Sequence, residues 1–279
     1  MNIRADDFVL EIGSGHNPNV RSDVLCDKFI DDDEQRGGMI VTDRPMVEAD
    51  GQFLPFVDGA FDYVICLHVL EHVENPDRLL SEMMRVSSRG YIETPSEIGE
   101  RIYGWHYHNW VVNRINGRLI LYKNPKRAEF GQLFHALAAQ DKYWRKFHIM
   151  HHDLFLVQHE WERIINYEIL RKSDSPINLS CPKTIERLLT FDSTEQIHKE
   201  LWLMFKSIVP RGIVSFAKSL FARSRIGRPT KTLKDILACP KCKDDILWEA
   251  QRILCQNCEK SYPIVDGIPR MNVMPMISQ

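Results

Sequence analysis

The sequence predicts an α/β chain built on an open parallel sheet, followed by a small cysteine-bearing domain. Three observations predict it. Phe8-Val-Leu-Glu-Ile-Gly-Ser-Gly15 is an apolar strand running into two closely spaced glycines. Three further strand patterns follow at short intervals, and two of them end on an acid, at Asp27 and Asp50. Near the C-terminus, Cys239-Pro-Lys-Cys242 and Cys255-Gln-Asn-Cys258 form two C-x-x-C knuckles twelve residues apart.

In chain order, Gly13 and Gly15 let the backbone turn sharply at a strand end and approach a ligand that a Cβ would exclude. Glu11 sits where its carboxylate organises that turn. The strands Asp23–Asp27, Met46–Asp50 and Phe61–Leu67 come next. In an open parallel sheet, ligands bind beyond the carboxyl ends of the strands, which directs Glu11, Asp27 and Asp50 toward one crevice, where a carboxylate can accept from ribose hydroxyls. Taken alone, Asp27 and Asp50 read equally well as solvated strand-end carboxylates. Asn75 caps a helix with Pro76 at its first position, and Leu79, Leu80, Met83 and Met84 share its apolar face. A strand over 90–94 follows.

The ordered segments LEIGSG, ADGQFLPF, FDYVICLHVLEHVENP and RGYIETP, spanning about residues 8–96, resemble the class I S-adenosylmethionine-dependent methyltransferases of the type 11 group. The resemblance implies a doubly wound, Rossmann-like sheet. It implies that Glu11, Gly13 and Gly15 form the cofactor loop, Asp27 binds the ribose and Asp50 faces the adenine amino group. Leu67 and His68 would line the methionine and sulfonium region. The family's third glycine is absent, since His16-Asn17-Pro18 follows Gly15. Only residues 16–22 separate the loop from the next strand, too few for a helical crossover, which makes Asp27 the least secure of these assignments.

The paired knuckles suit a tetrahedral site of four thiolates, Cys239, Cys242, Cys255 and Cys258, holding structural zinc with no open position for catalysis. Disulfides are the weaker reading, because no export signal is evident and Cys26, Cys66 and Cys181 lie scattered. With its flanks, LKDILACPKC, CQNC and YPIVDGIP, the segment 233–271 resembles the small zinc-ribbon proteins that act as methyltransferase activators. That resemblance implies docking on the methyltransferase sheet, with Ile264, Val265 and Ile268 as a buried patch.

Between these regions lies an aromatic stretch, Tyr103-Gly-Trp-His-Tyr-His-Asn-Trp110, and then Asn116-Gly117 between apolar runs, a hairpin signal. Trp105, His106, His108 and Trp110 are read either as acceptor-site residues or as packing for the hairpin. Residues 128–148 read as one helix. Residues 154–160 and 164–170 read as a strand pair completing the main sheet. His148, His151, His152 and His159 read as ordinary loop and surface histidines. The segment 211–231 carries six basic residues and no acid at amphipathic spacing. It reads as a packed helix with a solvated basic face in preference to a membrane-surface or RNA contact.

The domain reading is therefore a methyltransferase domain over 1–172, a helical linker over 173–231 and a zinc ribbon over 232–273. Residues 1–172 are net acidic and 173–279 net basic, and the near-neutral whole lacks a nucleic-acid-binding footprint. No apolar run approaches the roughly 20 residues of a membrane span, and a cytoplasmic location is expected. The activity expected is methyl transfer from S-adenosylmethionine to a small-molecule, glycan or lipid-linked acceptor of unknown identity. For a hydroxyl acceptor, His68, His106 and His108 are the candidate bases. The alternatives are RNA or a translation protein as acceptor, with the activator fused in cis, and a cofactor-binding scaffold without turnover.

Overall fold

A computed structural model describes residues 1–31, 38–126, 129–171, 175–177, 181–182, 185 and 231–273. The linker expected over 173–231, with its basic segment, lies almost wholly outside the described residues. The chain forms two compact units, one of residues 1–92, 160–165 and 221–279, the other of 93–159 and 166–220.

The first unit is built on the strands β1 (Val9–Ile12), β2 (Val24–Asp27), β3 (Met46–Glu48), β4 (Tyr63–Leu67) and the start of β5 (Arg89–Pro95). The sheet order is β3-β2-β1-β4-β5-β8, with β8 spanning Leu156–Glu162. β1 pairs in parallel with both β2 and β4, and β2 with β3. Nearly every residue of these strands is buried, as apolar runs closed on both faces require. Helix α1 (Pro76–Val86) starts where Asn75 Oδ1 accepts from Arg78 N at 3.2 Å, and it buries Leu79, Leu80, Met83 and Val86. As the short spacing predicts, residues 16–22 join β1 to β2 without a helix.

The same unit holds the cysteine-bearing segment. After a helical turn at Leu233–Ile236 come β10 (Ile246–Trp248), β11 (Arg252–Cys255), β12 (Ser261–Val265) and β13 (Ile268–Pro269). They form an antiparallel sheet in sequential order. This small sheet packs on the large one, but not through the residues expected. Val265 is exposed and Ile264 and Ile268 are partly so. Ile236, Leu237, Ala238 and Met271 are buried instead. Backbone pairing joins the two: Val57 N donates to Ile236 O at 2.9 Å, Ala238 N to Pro55 O at 3.0 Å and Met271 N to Glu48 O at 2.7 Å. Ion pairs add Lys243 Nζ to Glu82 at 2.6 Å and Arg270 to Glu48 at 2.9 Å. The exposed edge of β3 is thereby covered.

The second unit carries a hairpin of β6 (Trp110–Ile115) and β7 (Arg118–Lys123), turning at Asn116 (φ 50°) and Gly117 (φ 76°), as that dipeptide predicts. β9 (Tyr167–Ile169) pairs in parallel with β7. This corrects the expected strand pair: β8 joins the main sheet, whereas β9 adds to the hairpin, since the chain reverses at residues 163–166 and leaves the first sheet. The single helix expected over 128–148 is two, α3 (Gly131–Gln140) and α4 (Lys142–Met150), broken at Asp141, whose carboxylate accepts from Trp144 N at 2.7 Å. Helix α2 (Glu97–Tyr103) begins at Ser96, whose hydroxyl accepts from Gly99 N, and ends on Gly104 in the left-handed region. A further turn, α5 (His152–Phe155), precedes β8.

Candidate functional site

The carboxyl ends of β1, β2, β3 and β4 bring most of the sequence-predicted cofactor residues to one edge of the first unit. Gly13 has φ 70° and Gly15 φ 52°, both in the region that favours glycine. A Cβ on Gly13 would lie 2.2 Å from Val69 Cγ2, so packing against the loop after β4 by itself requires this glycine. The hydroxyl of Ser14, between the glycines, is buried and lacks a hydrogen-bond partner among the described residues.

Glu11 organises the turn. Its buried carboxylate accepts from Asn19 N at 2.8 Å and from the Ser22 hydroxyl, tying residues 16–22 to β1. Arg44 Nη1 donates to the carbonyls of Asn19 and Ser22, 2.9 Å each, and pins the same loop from outside. Burial raises the Glu11 carboxyl to about 7, against the opposing pull of Ser22, Asn19 and Arg44. Asp27 accepts from Gly15 N at 3.0 Å and from Phe29 N at 3.1 Å, which fixes the second glycine directly. Asp50 caps the short turn Gly51–Phe53 through Gln52 N at 2.9 Å and pairs with Lys28 Nζ at 2.8 Å. Leu67 ends β4 half-buried. His68 follows with φ 54°, an uncommon conformation for a non-glycine residue, and its half-exposed ring has Nδ1 3.4 Å from buried Glu71.

His106 and His108 lie in the second unit. His106 is exposed. His108 is buried, with Nδ1 on the Glu100 carboxylate, whose other oxygen accepts from Asn124 Nδ2 at 3.2 Å. Trp105 stacks between Tyr103 and His108, each at 5.0 Å, and Trp110 is buried in the hairpin under Lys123. Of His148, His151, His152 and His159, two depart from the surface reading. His159 is buried on β8, and His148 stacks on Phe155 at 4.1 Å, its basicity lowered by burial and by neighbouring His152.

The four cysteine sulfurs of the C-terminal sheet lie within 4.8 Å of one another, with Cys239 to Cys258 at 3.6 Å and Cys242 to Cys255 at 3.4 Å. All are free thiols. Four sulfurs at 2.3 Å from a tetrahedral zinc stand about 3.8 Å apart, so the cluster has the size such an ion needs. Burial opposes ionisation of Cys239, but the Tyr262 hydroxyl at 3.3 Å and the backbone N–H groups of Cys242 and Lys241 outweigh it and bring the thiol to about 7.

Residues missed in the sequence include Lys28, Arg44, Gln52 and Glu100. Helix α2, which supplies Glu100, had a readable signature: Ser96 ahead of two acids in the first turn, and Gly104 at the stop. Lys28 and Arg44 had none, because their partners are distant in sequence.

Residues 25–92 match the family described as a methyltransferase domain, Methyltransf_11. This match runs from within β2 to within β5 and includes Asp27, Asp50, Leu67 and His68. A segment of 41 residues is 39% identical to ajmaline N-methyltransferase of Rauvolfia serpentina, covering 15% of this chain and 14% of that one. A second similarity is to the UPF0434 proteins of Nitrosococcus oceani (44% identity over 43 residues, 15% of this chain and 73% of that protein) and Hahella chejuensis (49% over 43 residues, 15% and 72%). Over that stretch the chain belongs to the UPF0434 family. Among solved structures, a SAM-dependent methyltransferase of Methanosarcina mazei shares 16% identity, with coverage of 41% of this chain and 69% of that one and a TM-score of 0.29. The YcgJ protein of Bacillus subtilis shares 19%, with coverage of 34% and 47% and a TM-score of 0.27. TM-scores of this size decide nothing about shape or activity. Apart from the UPF0434 stretch, this chain spans only 14% of the ajmaline enzyme and about half of YcgJ.

Proposed function

We propose that the chain is an S-adenosylmethionine-dependent methyltransferase acting on a small-molecule, glycan or lipid-linked acceptor, with structural zinc in its C-terminal sheet. The observation that carries this reading is the glycine turn at Gly13 and Gly15, held directly by Asp27 and standing beside Asp50 and His68 at neighbouring strand ends. The residues fit the cofactor. The turn presents close-approaching backbone and the buried Ser14 hydroxyl, while Asp27 and Asp50 offer carboxylate oxygens suited to a ribose and an adenine amino group. Lys28 holds Asp50 in place by its 2.8 Å contact.

S-adenosylmethionine supplies a methyl group on a positive sulfur, open to in-line attack. The chain's own work is then mainly to hold the acceptor near van der Waals distance on the correct axis and to exclude water. His68 stands at the strand end nearest that chemistry in the sheet order, and Glu71 orients its ring. If the acceptor is a hydroxyl, His68 can take its proton near neutral pH. His108 is held in the second unit by the Glu100 carboxylate on its Nδ1.

The second reading, RNA or a translation protein as acceptor, is favoured by the resemblance of the cysteine-bearing segment to methyltransferase activators. The segment's packing on the sheet suits an activator fused in cis. Two measurements test these readings. Calorimetry should show micromolar binding of S-adenosylmethionine or its demethylated product, and a null titration would remove the cofactor assignment. Extract fractions incubated with methyl-labelled cofactor should then carry label in small molecules or lipids; label in RNA or protein selects the second reading.

A further inference from the structure

The C-terminal sheet meets the large one at two places. At the first, residues 236–238 pair with residues 55–57 and Lys243 reaches Glu82. At the second, residues 270–272 run along the edge of β3, where Met271 N donates to Glu48 O. Here two side chains each span the same pair of strand ends. Asn272 Nδ2 donates to Lys28 O, just beyond β2, at 3.2 Å and to Glu48 Oε1, at the end of β3, at 2.9 Å. Arg270 forks onto both oxygens of Asp31, at 2.5 and 3.2 Å, and its Nη1 lies 2.9 Å from Glu48 Oε2. The same segment is tied back to its own sheet, since Arg270 N donates to Pro263 O at 2.9 Å and Lys260 Nζ to Val273 O at 3.2 Å.

The strand ends joined in this way carry Asp27 and Asp50. Asp27 immediately precedes Lys28, and Lys28 Nζ holds Asp50 at 2.8 Å. β2 and β3 pair only through Leu25, Cys26 and Asp27 with Met46, Val47 and Glu48, and β3 stands at the outer end of the large sheet. So short a pairing at a sheet edge opens readily, and each opening would part the two carboxylates. The Glu48 side chain is only 4% exposed. It needs the guanidinium and amide that residues 270–272 bring, because a buried carboxylate without partners is costly. We propose that residues 270–272 are a strap through which the C-terminal sheet sets the cofactor site, with Asn272 and Arg270 as positioning residues for Asp27 and Asp50. The inference rests on the cofactor reading of those two carboxylates. Strand ends held in place before the ligand arrives remove an ordering cost from binding. The coupling is mutual, so bound cofactor tightens the strap by the factor that the strap adds to cofactor affinity.

The test is calorimetric titration of the full chain with the demethylated product of S-adenosylmethionine. Asn272→Ala should weaken binding roughly tenfold. Asp31→Ala opens the Arg270 fork at an exposed position and should weaken it in the same direction by a smaller factor, which keeps the test decisive if the first variant fails to fold. Ile236→Ala, at the other junction, should keep the parent affinity at temperatures where it is folded. Because the strap acts through the residues around Asp50, Asn272→Ala/Asp50→Ala should lose less than the product of the two single factors, whereas a purely structural loss would multiply in full. Parent affinity in Asn272→Ala overturns the proposal, as do fully multiplying losses in the double variant or equal weakening in Ile236→Ala. A parent chain that binds no cofactor overturns the cofactor reading and this inference with it; a parent that binds beside an unaffected Asn272→Ala overturns the inference alone.

Discussion

Replacing Glu11 by glutamine should reverse a pH-dependent cost built into the cofactor loop. The carboxyl moves from an ordinary 4.5 to about 7 through burial, so between those values the folded chain holds a proton that the unfolded chain has released. Folding is then favoured by low pH. The protonated form carries no penalty below about pH 4.5; as pH rises the penalty grows, and it is complete above about 7. A displacement of roughly 2.5 units at 1.36 kcal/mol each gives about 3 kcal/mol. Glu11→Gln keeps an oxygen for Asn19 N and the side-chain length, and it removes the charge. Urea unfolding of both proteins from pH 5 to pH 8 should show the variant gaining on the parent by about 2 to 3 kcal/mol across that window. A gap that stays constant would refute the reasoning. It would mean that Arg44 and the loop N–H groups keep Glu11 ionised in the fold despite its burial.

Gly13→Val should destabilise the first unit itself, by at least about 2 kcal/mol from the positive φ and the overlap with Val69; a parent-like melting temperature with cofactor binding lost would assign the glycine to the ligand alone. Asp50→Ala should weaken S-adenosylmethionine binding roughly tenfold to a hundredfold, the scale of a hydrogen bond to a charged group, and unchanged calorimetric affinity would remove Asp50 from the site. Elemental analysis should find one zinc per chain, lost in Cys255→Ser together with thermal stability. Ile236→Ala, which empties a buried contact between the small sheet and the large one, should cost about 2 to 4 kcal/mol; a loss near zero would make the cysteine-bearing sheet an independent module.

The positions of the first five strands, the helix at Asn75, the hairpin at Asn116-Gly117 and the four-cysteine cluster were legible in the sequence because each is encoded locally. A glycine pair after an apolar run, a cap before a proline and two C-x-x-C knuckles state their geometry within a few residues. The fate of β9 was not legible. Residues 156–162 and 167–169 carry similar apolar patterns, and the choice between two sheets depends on which edge lies nearest when the chain reverses.

The site divides in the same way. The sequence by itself determined which residues stand at the strand ends: Gly13, Gly15, Asp27, Asp50, Leu67 and His68. Strand period and chain order alone bring them to one edge of a parallel sheet. Only the tertiary structure decided what each carboxylate does there. Glu11 is turned into the loop and buried, Asp27 holds Gly15, and Asp50 is paired with Lys28. Tertiary structure also decided that the cysteine-bearing segment pairs with residues 55–57 through Ile236, Leu237 and Ala238 and with the edge of β3 through Arg270 and Met271, where Ile264, Val265 and Ile268 had been expected to serve. The physical reason is that unpaired backbone at a sheet edge and carboxylates removed from water must find partners wherever the fold brings them. Those partners, from Arg44 to Arg270, are set by packing across long stretches of chain that no local pattern records.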